Sequence, residues 1–287
     1  MRILIFGCGY LGRRVAAEWI QAGHTIFAAT RSSQNAETLL QLEIHPLIGD
    51  VCDPATLANL PEVDVVLHAI GFDRNSGRSH EEVTCGGTRN ILEAVNDRCR
   101  RFIQISSTSV YGQSAGEWVD ENSVCEPVQV GGQMAVVAEW LVRDSFPETS
   151  GIHATILRLA GIYGPGRLLS RIESLRAGTP ILGRGDSWLN LIHVDDAVRA
   201  IVKCATIQAA GTTYNVVDDR PIERREYFSR LAQLIGAPEP TFDANQPAAR
   251  GAGGLNKRCS NYKLREAVGW TPTFTSIDSG LPASIGI

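Results

Sequence analysis

Residues Met1–Gly12 read MRILIFGCGYLG, and the fold follows from how they are read. Arg2 to Phe6 is a short apolar run rich in branched side chains, the pattern of a buried strand. Gly7, Gly9 and Gly12 then fall in the spacing G-x-G-x-x-G, and a helical pattern opens at about Tyr10. Each glycine has a physical reason. The first permits a tight turn, the second lets backbone approach a pyrophosphate, and the third lets the helix pack closely on the strand. A helix N-terminus offers free N–H groups and partial positive charge to an anion. The context of strand, glycine turn and amphipathic helix predicts a dinucleotide cradle built from Gly7, Gly9, Tyr10, Leu11 and Gly12, with Arg13 in the first helical turn.

Working outward, strand and helix patterns alternate, as a doubly wound parallel sheet requires. After a helix from Leu11 to Ala22, strands are expected at His24 to Thr30, Ile44 to Ile48, Val63 to Ile70, Arg101 to Ser106 and His153 to Arg158. Between them lie helical patterns at Ala36 to Leu42, His80 to Asp97 and Gln133 to Ser145. The polar stretch Tyr111 to Val130 reads as a loop ending at Gly131 and Gly132. The expected architecture is α/β, a Rossmann-like doubly wound parallel sheet with a smaller C-terminal α/β substrate lobe. The sheet domain is assigned to 1–160, with 189–217 returning to it; 161–188 and 218–287 form the smaller lobe. Gly251 to Gly254 reads as a mobile loop.

Composition narrows the function classes. The 287 residues carry 27 Lys and Arg against 31 Asp and Glu, a net charge of −4, so no nucleic-acid face is expected. No apolar stretch is long enough to span a bilayer, and the start of the chain reads directly as a strand and not as a leader. The seven cysteines are scattered without C-x-x-C pairs, which suits buried thiols in a reducing cytoplasm and neither disulfides nor a metal site.

Cofactor choice should be decided at the end of the second strand, where an NAD-selective site carries an acid for the ribose 2′-hydroxyl. Here the chain reads Ala28-Ala29-Thr30-Arg31-Ser32-Ser33. Arg31 suits a 2′-phosphate, Ser32 and Ser33 can donate hydrogen bonds to it, and Arg13 adds a second cation. NADP is therefore expected over NAD; the alternative for Arg31 is a solvated loop arginine. Asp50 and Val51 fall where adenine would lie, Asp50 accepting from the exocyclic amine or else serving as a turn residue. Ala69, Ile70 and Gly71 end the fourth strand without bulk, leaving room for ribose and pyrophosphate. Ser106 ends the fifth strand and Arg158 the sixth, both at the cofactor side.

With these residues in place the chain resembles the extended short-chain dehydrogenase/reductase superfamily, in its NAD-dependent epimerase/dehydratase group. The resemblance rests on GCGYLG, GDVCD, GGTRNILEA, ISSTSVYG, ILRLAGIYGPGR and IHVDD, in that order. It implies a site with a Ser or Thr, a Tyr and a Lys, the lysine lowering the tyrosine pKa and the tyrosine moving the proton. SSTSVYG puts Ser107 at the Ser/Thr position. A glutamate four residues beyond the lysine is matched by Glu139, which assigns the lysine position to Ala135 and the tyrosine position to Gly131. No Tyr or Lys occurs between Gly112 and Thr155, so no shift of register restores the pair. The asparagine of the related V-N-x-x-G-T pattern is Thr84 here.

Other groups are candidates for the vacant role. Tyr163, in the GIYGPG turn, is the remaining tyrosine candidate, against a structural reading. His193 and His68 read as packed histidines, and Arg158 and Arg167 as partners for an anionic group or, for Arg158, as support by hydrogen bonds. Ser107 without an activating base is a hydrogen-bond partner and not a nucleophile. Two functions follow: an NADP-dependent oxidoreductase or epimerase-like enzyme of non-standard site acting on an unidentified small molecule, or an inactive NADP(H)-binding sensor or scaffold. The helix Gln133 to Ser145 is apolar on more than one face, which predicts a homodimer.

Overall fold

A computed structural model describes residues 1–206, 212–246 and 256–286; the expected loop Gly251 to Gly254 lies outside the described residues. The chain divides into two compact units. The first comprises Met1–Ser107, Val130–Arg158 and Val198–Tyr214; the second comprises Thr108–Gln129, Leu159–Ala197 and the chain from Asn215 on.

The first unit is a seven-stranded sheet with helices. In chain order its elements are β1 (Arg2–Phe6), α1 (Tyr10–Gln21), β2 (Thr25–Thr30), α2 (Ser33–Gln41), β3 (His45–Ile48), β4 (Val65–His68), α3 (Gly87–Val95), β5 (Arg101–Ser107), α4 (Val130–Ser145), β7 (His153–Leu159) and β12 (Thr212–Val216). The strand order is β12-β7-β5-β4-β1-β2-β3, and β1 pairs in parallel with both β2 and β4. Centrality explains composition: Ile3, Leu4, Ile5 and Phe6 of β1 are wholly buried, as a strand covered on both faces requires. Pro46 sits in β3 at the sheet edge, where a missing N–H is tolerated. One face of the sheet packs Leu4, Phe6, Val66 and Phe102 against Ile91, Leu92, Leu141, Val142 and Phe146 of the helical layer.

Two expectations about this unit change. The helical pattern from His80 contains a π turn, Glu82–Gly86, before α3. Gly131 and Gly132 do not close the loop ahead of the helix; they lie in the first turn of α4, where the apolar residues that follow carry the packing and two glycines are tolerated.

The second unit is built from short strand pairs and helices. β6 (Glu117–Val119) pairs with β15 (Lys257–Cys259), and β8 (Gly161–Tyr163) with β11 (Leu191–His193). β9 (Ile181–Leu182) pairs with β14 (Phe242–Asp243), and β10 (Trp188–Leu189) with β13 (Ile222–Glu223). Its helices are α5 (Leu169–Arg176), α6 (Val194–Cys204), which runs on into the first unit, α7 (Arg224–Ile235), α8 (Tyr262–Val268) and α9 (Ile277–Ile285). The core is formed by Tyr163, Leu168, Leu175, Leu191, Tyr227, Leu231 and Leu281. The division differs from the expected one because 189–193 pairs with β13 and β8 and not with the large sheet, and because Thr108–Gln129, which carries β6, belongs to this unit.

Among the described residues no helix is long and apolar enough to cross a membrane. Nor does any cluster of three or more His, Cys, Asp or Glu there suit a metal ion. All seven cysteines are free thiols, five of them buried.

Candidate cofactor cradle and active site

The parallel strands of the first unit bring their carboxyl ends to one edge of the sheet, so residues far apart in sequence meet there. The glycine turn is the tightest part. Gly7 has φ +92°, and a Cβ on it would stand 2.5 Å from the Ala69 carbonyl; one on Gly12 would stand 2.5 Å from the Gly7 oxygen. Gly9 is the opposite case, with nothing within 4 Å of a Cβ built there. Gly9 precedes α1 without a side-chain cap, and the first turn holds no acid. The first and third glycines are thus demanded by packing, while the second leaves backbone open to a ligand. That is the shape and the electrostatics of a diphosphate cradle.

At the end of β2 a hydrogen-bonded corner forms. Arg13 Nη2 donates to Asn35 Oδ1 at 2.8 Å and Asn35 Nδ2 donates to Thr30 Oγ1 at 2.8 Å. Ser32 Oγ caps α2 by accepting from Asn35 N at 3.1 Å. Asn35 was missed by sequence reading; the cap Ser-x-x-Asn was its available signal. Arg31 is exposed. Of the two alternatives for Asp50, the turn is what is seen. Its Oδ1 accepts from Cys52 N at 2.9 Å, and Oδ2 pairs with Arg78 at 3.2 Å. Val51 is buried against Gly87, where a Cβ would come 2.9 Å from Val51 Cγ2. Ala69 follows β4, its N–H donating to the Phe6 carbonyl at 2.7 Å; Ile70 and Gly71 lead into a loop that Arg78 closes onto Asp50.

Beside the cradle, Glu139 of α4 is buried at 1% exposure. It accepts from Ser106 Oγ at 2.6 Å, from Arg143 Nη2 at 2.9 Å, and from Arg158 through Nε at 2.9 Å and Nη2 at 2.7 Å. Burial acts to raise its pKa, but the Arg158, Ser106 and Arg143 hydrogen bonds and the Arg158 charge outweigh it and hold the carboxyl below its usual range. Ser106 and Arg158, expected at the cofactor side, both turn onto Glu139, because a buried carboxylate requires paired, hydrogen-bonded partners; for Arg158 this is the support by hydrogen bonds that the sequence offered as its alternative. Ser107, the next residue, ends β5 half-buried.

Of the two readings of Tyr163, the structural one matches its surroundings. It is 1% exposed in the core of the second unit, its hydroxyl donating to the Ser276 carbonyl at 3.4 Å, and a Cβ on Gly280 would overlap its ring. Burial, with Asp218 and Tyr227 adding to it, drives the phenol far above its ordinary pKa. Tyr163 packs in that core. His193 is buried, its ring 4.0 Å from that of Phe274, and its Nδ1 accepts from Asp195 N at 3.3 Å. His68 Nδ1 lies 2.5 Å from Gln104 Oε1, and burial lowers its pKa to about 4, so it is a neutral core group. Arg167 is exposed in the GIYGPG turn.

Sequence reading also missed His80. Ser79 Oγ accepts from Glu82 N at 3.1 Å and Glu82 Oε2 accepts from Ser79 N at 2.7 Å, a reciprocal cap that starts a helix at His80. The S-x-x-E spacing was the available signal. The His80 ring stacks on Phe72 at 4.3 Å between centroids and 12° between planes.

This architecture recurs in proteins of known description. The protein YeeZ of Escherichia coli K12 is 27% identical over 258 residues, covering 87% of this chain and 89% of its own. A conserved protein of unknown function from Silicibacter pomeroyi superposes with a TM-score of 0.82 at 26% identity, over 99% of this chain and 98% of its own. The UDP-glucuronic acid 4-epimerase of Bacillus cereus, solved in complex with NAD, shares the fold with a TM-score of 0.82 at 20% identity, over 100% and 98%. The model of the NAD dependent epimerase/dehydratase family matches residues 3–217, and with the glycine cradle and strand order described above, the chain belongs to that family.

Proposed function

We propose that this protein is an NADP(H)-dependent oxidoreductase or epimerase-like enzyme acting on a small molecule, with an active site that lacks the tyrosine–lysine pair. The observation that carries the reading is the cradle itself: Gly7 and Gly12 are closed to any side chain while Gly9 faces open space. Bound there, the nicotinamide would accept or supply a hydride. The chain's own part is to hold the diphosphate on α1 backbone N–H groups and to offer Arg13, Arg31 and Ser32 to a 2′-phosphate. Ala69 to Gly71 leave room for the ribose, and Ser107 hydrogen-bonds substrate. Asp50, besides accepting from Cys52 N and pairing with Arg78, would accept from the adenine amine. Glu139, Ser106 and Arg158 act as positioning residues, fixing α4 to β5 and β7. The free thiols suit the reducing cytoplasm.

The test is binding followed by turnover: calorimetry with NADPH and NADH, then hydride transfer against carbonyl compounds and sugar nucleotides. Gly131 and Ala135, neither able to move a proton, favour the second reading of a cofactor-binding sensor without chemistry. Binding of NADPH with no turnover across such a library would support it.

The apolar outer side of α4 supports a homodimer as part of the same reading. Val130, Val137 and Trp140 are 60%, 38% and 58% exposed, and large apolar side chains grouped on one helix mark an interaction surface.

A further inference from the structure

The position assigned to the tyrosine is a glycine, and the His80 imidazole lies against it. A Cβ built on Gly131 would stand 3.4 Å from Cε1 of His80, at ordinary van der Waals contact, so the imidazole flanks the point from which a side chain at 131 would start. His80 is held there from three sides. The Ser79–Glu82 cap sets it as the first residue of its helix, Phe72 fixes the plane of the ring by stacking, and the π turn Glu82–Gly86 follows immediately. Such turns are frequent at functional sites. The ring is half-exposed, and no hydrogen bond to either of its nitrogens is present among the described residues.

We propose that His80, whose imidazole flanks position 131, is the proton-transferring side chain of this site. The proposal rests on the hydride-transfer reading above. In the direction of alcohol oxidation, the substrate O–H bond breaks and its proton goes to a ring nitrogen of His80. The O–H electron pair becomes the second bond of the carbonyl as the same carbon releases hydride, which a nicotinamide held in the cradle would accept. In reduction the carbon would receive hydride from the reduced nicotinamide as the carbonyl π pair moves to oxygen, which takes a proton from the imidazolium.

The surroundings suit a base. Partial burial, and then the charge of Arg74, lower the His80 pKa from its ordinary value. A helix N-terminus also disfavours the cation. Glu82 of the same first turn is engaged by Ser79, and the facing turn of α4, Val130 to Gln133, carries no charge. Neutral imidazole is therefore the resting form near neutral pH, ready to accept a proton.

The decisive measurement does not need the natural substrate. Comparison of wild type with His80→Gln identifies the His80 imidazole signal by NMR, and its pH titration is recorded with NADP⁺ or NAD⁺, whichever calorimetry shows to bind. It is repeated with the matching adenosine 2′,5′-bisphosphate or ADP, which lack the nicotinamide. The expected result is a midpoint lowered by about half a pH unit or more by the dinucleotide, as a unit positive charge at close range produces in water-like surroundings, with no change from the adenosine compound. His80→Gln is expected to bind the dinucleotide within twofold of wild type. Equal responses to both compounds, no response in a complex that forms, or a tenfold loss of binding in the variant would overturn the proposal and leave the cofactor reading standing. Failure of both dinucleotides to bind would overturn the two together.

Discussion

Arg158 donates both Nε and Nη2 to the two carboxylate oxygens of Glu139, at 2.9 and 2.7 Å, with neither side chain more than 5% exposed. The pair ties β7 to α4, and Ser106 joins β5 to the same carboxylate. A two-pronged ion pair of this kind fixes direction as well as distance. It holds the helix that carries Gly131 and Ala135 against the strand that carries Ser107.

Removing one partner leaves the other buried and uncompensated. Arg158→Met and Glu139→Gln should each destabilise the fold, by about 3–5 kcal/mol for a pair broken on one side. Because the Glu139 carboxyl is held below its ordinary range, its stabilisation is complete above the usual glutamate value of about 4.3 and is lost as pH falls through the lower folded value. Chemical denaturation from pH 7 to pH 3 should therefore show a loss in wild type that Glu139→Gln lacks. Parallel curves would remove Glu139 from this role.

Asp218 behaves in the opposite sense. It is 2% exposed in the second unit, its Oδ2 has no hydrogen-bond partner among the described residues, and burial raises its pKa to about 8; Asp219 adds to this, while the Arg220 backbone N–H and charge oppose it. A carboxyl raised in the folded state contributes stability that is intact below its unfolded value and is lost as pH rises toward 8. Asp218→Asn should then stabilise the protein by about 1–3 kcal/mol at pH 8, the scale of one buried unpaired polar group. The gain should shrink toward pH 4. A variant less stable than wild type at pH 8 would contradict this.

Cofactor preference is tested directly by calorimetry. NADPH should bind at least about tenfold more tightly than NADH, since charge-assisted contacts to the 2′-phosphate contribute about 1.5–3 kcal/mol. Arg31→Ala should remove most of the difference. Equal affinities in the parent protein would leave the Thr30–Asn35–Arg13 corner as structure alone.

Tyr163→Phe should change neither turnover nor cofactor binding, because among the described residues the buried phenol makes one long bond, to Ser276. Gly280→Ala should instead destabilise by about 1–3 kcal/mol, the cost of overpacking a tight core. Loss of hydride transfer in Tyr163→Phe with normal folding would restore that tyrosine as the acid.

Trp140→Glu tests assembly. Sedimentation should find wild type dimeric at micromolar concentration and the variant monomeric, with stability little changed, because Trp140 is 58% exposed. A monomeric wild type would leave the outer face of α4 without the proposed partner.

The sequence by itself determined what depends on local spacing. The G-x-G-x-x-G turn, the alternation of strand and helix, the apolar run of β1 and the absence of Tyr and Lys around α4 were all readable, because each is a rule of steric fit or periodicity within a few residues. It also led correctly to the family, and to His68 and His193 as packed histidines. Tertiary structure alone decided which side chains meet. Arg13 reaches Asn35 at the next helix, Ser106 and Arg158 turn inward to Glu139, Tyr163 is sealed in a core, and His80 lies against Gly131. These contacts join loops and strand ends distant in the chain. Their selection rests on the low tolerance of a buried interior for unpaired charge and for overlap, which no local pattern encodes.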